Sequence, residues 1–128
     1  MKVAYFFISP QAGLLRLVEI ILPELENDQH PIEVVAMCFF DENEIALDLG
    51  NDIGKRLNVL AKNQGILLLK SVKTIMNHLQ IASVHKTVTR RNPSECVVVT
   101  LQDGNETGCF PDFYTAAYKN LPDRIISL

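Results

Sequence analysis

The chain has 128 residues, 48% of them hydrophobic and 21% charged, with a net charge of −3 at neutral pH. That length suits one domain, here 1–128, with enough chain to bury a core, and the composition is that of an ordinary soluble globular protein. The acidic balance argues against a nucleic-acid partner, and no run reaches the ~20 apolar residues that cross a bilayer.

The first apolar run, 3–8, is continuous and carries aromatics, the signature of a strand buried on both faces. It ends at Ser9-Pro10, too soon for a secretory leader, so a cytoplasmic location is expected. Leu14, Leu17, Val18, Ile21, Leu22 and Leu25 then recur at helical spacing. Pro23 inside that pattern predicts a kink or an early end, because its ring removes a hydrogen bond and crowds the preceding turn. Residues 32–40 read as a second buried strand.

Ile45, Leu49, Ile53, Leu57 and Leu60 mark a helical region over 42–64, interrupted at Gly50-Asn51-Asp52. A glycine that ends one helix, followed by Asn and Asp that cap another, predicts two pieces. Gly65 stops the second, 66–69 is a short apolar strand, and Val72, Ile75, Met76 and Leu79 give another amphipathic helix. Periodicity fades over 82–94, which reads as a loop carrying a small basic patch of Lys86, Arg90 and Arg91. Strand character returns at 97–101, and Asp103-Gly104-Asn105 is a turn from which 107–110 can come back as a hairpin partner. A helix over 113–118 and a strand over 124–128 close the chain.

Strands alternating with helices imply right-handed crossovers and a mainly parallel sheet, with ligands beyond the carboxyl ends of the strands. Those ends fall at 9–13, 41–44, 70–73 and 109–112, so a thiol, two lysines and several carboxylates can converge on one rim. Cys109 is the first candidate for chemistry. It precedes Pro111, which suits a first helical position, and a helix start favours thiolate over thiol. The bland alternative is a buried cysteine covered by Phe110 or Phe113. Lys70 and Lys73, with Ser71 between them, either bind an anion or help hold a thiolate, or else hydrate the exposed turn of a helix, and Asp41, Glu42 and Glu44 read better as a capping cluster than as a catalytic one.

Cys38, within a buried strand, reads as a small core hydrophobe, and Cys96 as structural. Three widely spaced cysteines with no C-x-x-C pair fit a reducing compartment, not a disulfide scaffold. His30, His78 and His85 share no ligand spacing, so no metal or other cofactor is implied. Asn105-Glu106-Thr107 matches a glycosylation sequon by chance if the chain is not secreted.

The element order, together with Asp41-Glu42-Asn43-Glu44-Ile45-Ala46-Leu47, Ile53-Gly54-Lys55-Arg56-Leu57, Gly108-Cys109-Phe110-Pro111-Asp112-Phe113-Tyr114 and the closing Asp123-Arg124-Ile125-Ile126-Ser127-Leu128, resembles the DsrE/DsrF-like sulfur-relay superfamily. The resemblance implies a three-layer α/β/α domain with a mainly parallel five-stranded sheet that assembles into homo-oligomers. Some members carry a persulfide on a cysteine and pass sulfur to a carrier protein. Their cysteine follows the third strand, where this chain reads Leu69-Lys70-Ser71-Val72-Lys73. Two readings follow. Either Cys109 takes that role, with Lys70 as charge partner and Ser71, Asp41 and Asp112 as binding residues, or the chain is a non-catalytic oligomeric interaction module.

Overall fold

The computed structural model describes the chain except for Thr89, Arg91, Asn92 and 119–121, and except for the side chains of Asp41 and Glu42. Contacts divide it into two compact units, Met1–Ser71 with Leu121–Leu128, and Val72–Asn120.

The first unit is built around strand β1 (Lys2–Phe7), buried on both faces after Lys2, as its unbroken apolar run requires. A helical run follows through α1 (Ala12–Arg16), a π-helical turn (Leu17–Ile21) and α2 (Leu22–Glu26). Pro23 therefore does not end the helix: it stands in the first turn of α2, directly after the π turn. The Leu22 amide bonds the Leu17 carbonyl, five residues back, and the wider turn gives room to a ring that would crowd a regular one. Leu17, Ile21, Leu22 and Leu25 form the buried stripe of this run.

Strand β2 (Glu33–Phe39) pairs parallel with β1, Phe7 opposite Phe39. A 3₁₀ turn, Asp41–Leu47, and helix α3 (Asp52–Gln64) come next, the two pieces expected on either side of Gly50. Asn51 caps α3 by accepting from the Gly54 amide at 2.7 Å, and Gly65, at φ 68°, ends it in the left-handed conformation that glycine tolerates. Gly54 itself is fixed by crowding: a Cβ there would stand 2.0 Å from the Asp48 carbonyl oxygen. Strand β3 (Leu67–Leu69) pairs parallel with β2, and the last strand of the chain, Arg124–Ser127, pairs parallel with β1 on its other side. Numbered in chain order that strand is β6, and the sheet runs β3-β2-β1-β6.

One core unites this sheet with the helices. Val3, Tyr5, Phe7, Val34 and Phe39 meet Leu17, Ile21, Leu22, Leu57 and Leu60. Phe7 and Phe39 stack with ring centroids 4.9 Å apart, both fully buried. Each such ring contributes roughly 2–3 kcal/mol of burial.

The second unit holds α4 (Val72–His78), β4 (Ile81–Thr87), β5 (Cys96–Leu101) and α5 (Phe113–Ala117). Two expectations are corrected here. The segment read as a loop over 82–94 contains most of β4, a mostly exposed strand whose Ile81 and Val84 pack inward while His85 and Lys86 are exposed. The strand at 97–101 pairs antiparallel with β4 instead of adding a fifth parallel strand. A short connection between consecutive strands permits that pairing, whereas parallel pairing needs a long crossover. The chain is thus a mixed α/β fold with a four-stranded parallel sheet and a small antiparallel one.

The Asp103-Gly104-Asn105 turn forms as read, with Gly104 at φ 90° and the Asn105 amide bonded to Asp103 Oδ1 at 2.9 Å. The return limb is held by two isolated antiparallel bridges, Thr100 with Glu106 and Val97 with Phe110. Ile81, Val97, Val99 and Ala116 form the small core of this unit, with Met76, Leu79, Phe110 and Phe113 against it.

Candidate functional site

Cys109 lies on the return limb behind β5, beside the Val97–Phe110 bridge. That bridge brings it opposite Cys96, and the two cysteines form a disulfide with their Cα atoms 5.8 Å apart. The separation is the usual one for such a bond. The expectation of an isolated Cys109 thiolate, with Cys96 merely structural, is corrected: in this state Cys109 has no free thiol and Cys96 is its partner. The hairpin supplies a proximity that a search for C-x-x-C spacing does not register.

The helix-start argument changes as well. Asp112 is the N-cap of α5, its Oδ1 accepting from the Thr115 amide at 2.7 Å. Pro111 therefore precedes the cap, and the first helical residue is Phe113. Dipole effects fade within the first turn, and this helix spans five residues, so α5 offers Cys109 little thiolate support. Asp112, proposed as a binding residue, has a structural task as the cap.

The two sulfurs sit in unequal surroundings. Cys109 is exposed, while Cys96 is 1% exposed, with its Sγ 3.5 Å from the Thr87 carbonyl oxygen on β4. Phe110 and Phe113 pack into the core of the second unit and leave Cys109 at the surface. An attacking thiolate would meet Cys109 first and release Cys96. The third cysteine, Cys38, is fully buried in β2, and desolvation pushes its pKa to about 12, with Glu44 adding to the rise. It is the core thiol its sequence context implies, unreactive at neutral pH.

The other candidates fall in the first unit, after the neighbouring strands β2 and β3. Asp41 opens the 3₁₀ turn beyond β2, its side chain outside the described residues. Lys70 and Ser71 follow β3 directly. Lys70 is exposed and lines a cleft of ≈ 480 Å³ with Asp48, Asn58 and Leu68. Asp41, Lys70 and Ser71 thus belong to one rim, and Cys109 and Asp112 to the other unit. Of the basic patch, Lys86 pairs with Glu95 at 3.2 Å, and Arg91 lies outside the described residues. No group of His, Cys, Asp and Glu suited to a metal occurs among the described residues, nor does a helix long and apolar enough to cross a membrane.

Asn43 is an arrangement that sequence reasoning missed. It is fully buried, and its Nδ2 donates to the carbonyls of Phe7 at 2.9 Å and Ser9 at 2.8 Å, tying the end of β1 to the turn after β2. A second is the chain Tyr5–His30–Glu24. Tyr5 Oη lies 3.0 Å from His30 Nε2, and His30 Nδ1 lies 2.7 Å from Glu24 Oε2. The order matches nucleophile, base and orienting acid, but Tyr5 is 6% exposed and does not line the small cleft beside His30. Burial raises the Tyr5 pKa, Glu24 raises it further and Arg16 opposes both, so the phenol stays protonated. The triad fastens β1 to α2 and is read as structure. His30 carries no motif, and only the fold brings it beside Tyr5.

No family model matches the chain, and neither a curated protein nor a solved structure is similar to it.

Proposed function

We propose that the protein is a DsrE-like, cytoplasmic sulfur-handling protein that works through the Cys96–Cys109 couple. The observation that carries this reading is the asymmetric disulfide, one cysteine exposed and the other buried behind it. Disulfides in a reducing compartment are as a rule transient and working ones, so the couple and the location are compatible. The four-stranded parallel sheet is compatible with the family's three-layer α/β/α architecture.

In the reduced state the Cys109 thiolate takes the outer sulfur of a persulfide donor, forming a Cys109 persulfide and releasing the donor as a thiolate. A carrier protein's thiolate can accept that sulfur and leave Cys109 reduced. Otherwise the Cys96 thiolate attacks Cys109 Sγ, the disulfide forms, and hydrosulfide leaves with the electron pair of the broken S–S bond. A dithiol reductant then restores both thiols. Lys70 and Ser71 are proposed to bind an anion at the rim of the first unit, Asp41 to be a polar contact on that same rim, and Asp112 a polar contact for a partner of the second unit.

Mass spectrometry of the reduced protein after treatment with polysulfide tests the reading. Cys96→Ser is expected to accumulate a +32 Da adduct on Cys109, on the order of one sulfur atom per chain, whereas the unaltered protein proceeds to the disulfide and releases sulfide. Adducts distributed over Cys38 and Cys96 as readily as over Cys109, or no adduct at all, contradict it.

The alternative is a non-catalytic oligomeric interaction module. Exposed apolar side chains on the α1 helical run, Leu15 at 58% and Ile20 at 40%, favour it.

A further inference from the structure

Ala12, Leu15, Arg16, Glu19 and Ile20 recur at three- and four-residue spacing on the outer face of the α1 run. With Leu128 they line a shallow groove of ≈ 530 Å³. The opposite side of the same run, Gly13, Leu17 and Ile21, is buried. Arg16 and Glu19 are exposed, and neither makes an ion pair among the described residues.

We propose that this face is a two-fold interface with a second copy of the chain. Leu15-Arg16 and Glu19-Ile20 are mirror images in character, an apolar residue outside a charge of opposite sign. Two copies crossing antiparallel, with the dyad between positions 17 and 18, set Leu15 against the partner's Ile20 and Arg16 against the partner's Glu19. The reverse contacts follow by symmetry. A two-fold contact must be self-complementary, and this stripe is so in both hydrophobicity and charge. A membrane surface would favour an excess of basic residues, whereas this stripe carries one charge of each sign.

The inference deepens the interaction reading and rests on it, and it makes no use of Cys109. Sedimentation of the full chain over a range of concentrations tests it, alone and as Arg16→Glu, Glu19→Arg and the double exchange. Both substituted positions are exposed, and a circular dichroism melt confirms that each variant is folded. A concentration-dependent dimer is expected, weakened roughly tenfold or more by either single reversal and restored by the double exchange. A dimer indifferent to the reversals, or one not restored by the double exchange, overturns this surface while leaving the interaction reading intact. A chain monomeric at every concentration overturns the dimer, and loss of the interaction reading then requires that Leu15→Asp also leave every partner contact in a pull-down unchanged.

Discussion

Phe7 and Phe39 stack inside a core that joins four parallel strands to α1, α2 and α3, and the only cysteine in that unit is a buried thiol. In the second unit a two-stranded sheet and two short helices enclose a much smaller core, and a disulfide joins the strand to its return limb. The contrast follows from size. A small unit removes too little apolar surface from water to offset the entropy of ordering its chain, and a covalent link makes up part of the difference. The first unit resists disruption through packing, whereas the second depends on the oxidation state of one sulfur pair.

The comparison is broken most severely from the first side. Phe7→Ala deletes a ring with no exposed surface and is expected to cost about 3–5 kcal/mol in urea denaturation. A loss below about 1 kcal/mol would show that the stacked core does not dominate that unit.

Removing the disulfide, by reduction or by Cys96→Ser with Cys109→Ser, is expected to cost about 2–4 kcal/mol, because the closed loop spans a sequence separation of 13. Hydrogen exchange should locate that loss. Amides of β5 are expected to lose protection while those of β1 keep theirs, and equal loss in both would mean that the two units open together.

A smaller effect is expected from His30→Ala, which leaves the Tyr5 hydroxyl and one Glu24 oxygen without their partner. The expected cost is about 1–3 kcal/mol, and the double variant with Tyr5→Phe should cost less than the sum of the two single ones. Strict additivity would mean that the three groups do not act as a network.

The smallest change at neutral pH is expected from Cys38, whose effect lies in alkali. A thiol whose pKa is raised by folding keeps its proton longer in the native state than in the unfolded chain. Its contribution is complete below the ordinary thiol value of 9.0 and is lost as pH rises toward about 12. Cys38→Ala should flatten stability against pH over that window, and an unchanged slope would show that the thiol is not desolvated as described.

Much of this contrast was legible in the chain itself. Continuous apolar runs marked β1 and β2, and Gly50-Asn51-Asp52 and Gly65 marked both ends of α3, because those signals are local and rest on backbone chemistry. β4 was hidden because a strand of a two-stranded sheet buries little, and residues such as His85 and Lys86 look like loop. Pro23 predicts a kink or an early end, whereas the helix runs on through it after a π turn, an outcome with no local signal in the sequence. Cys109 was legible as a site and not as half of a pair, since only the antiparallel return of 106–110 brings it to Cys96. Asn43 and the Tyr5–His30–Glu24 chain had no local signal, each being a contact between segments far apart in sequence.

The most direct test of the account is to alkylate the native, unreduced protein and map its peptides before and after a pulse of dithiol reductant. Before the pulse, a linked Cys96–Cys109 peptide and an unmodified Cys38 are expected. After it, label should appear at Cys109 well ahead of Cys96, and at Cys38 only on unfolding. A protein whose Cys96 labels ahead of Cys109 after the pulse, or one whose Cys38 labels as fast as Cys109, would contradict the central claim that the exposed half of this couple is the reactive sulfur.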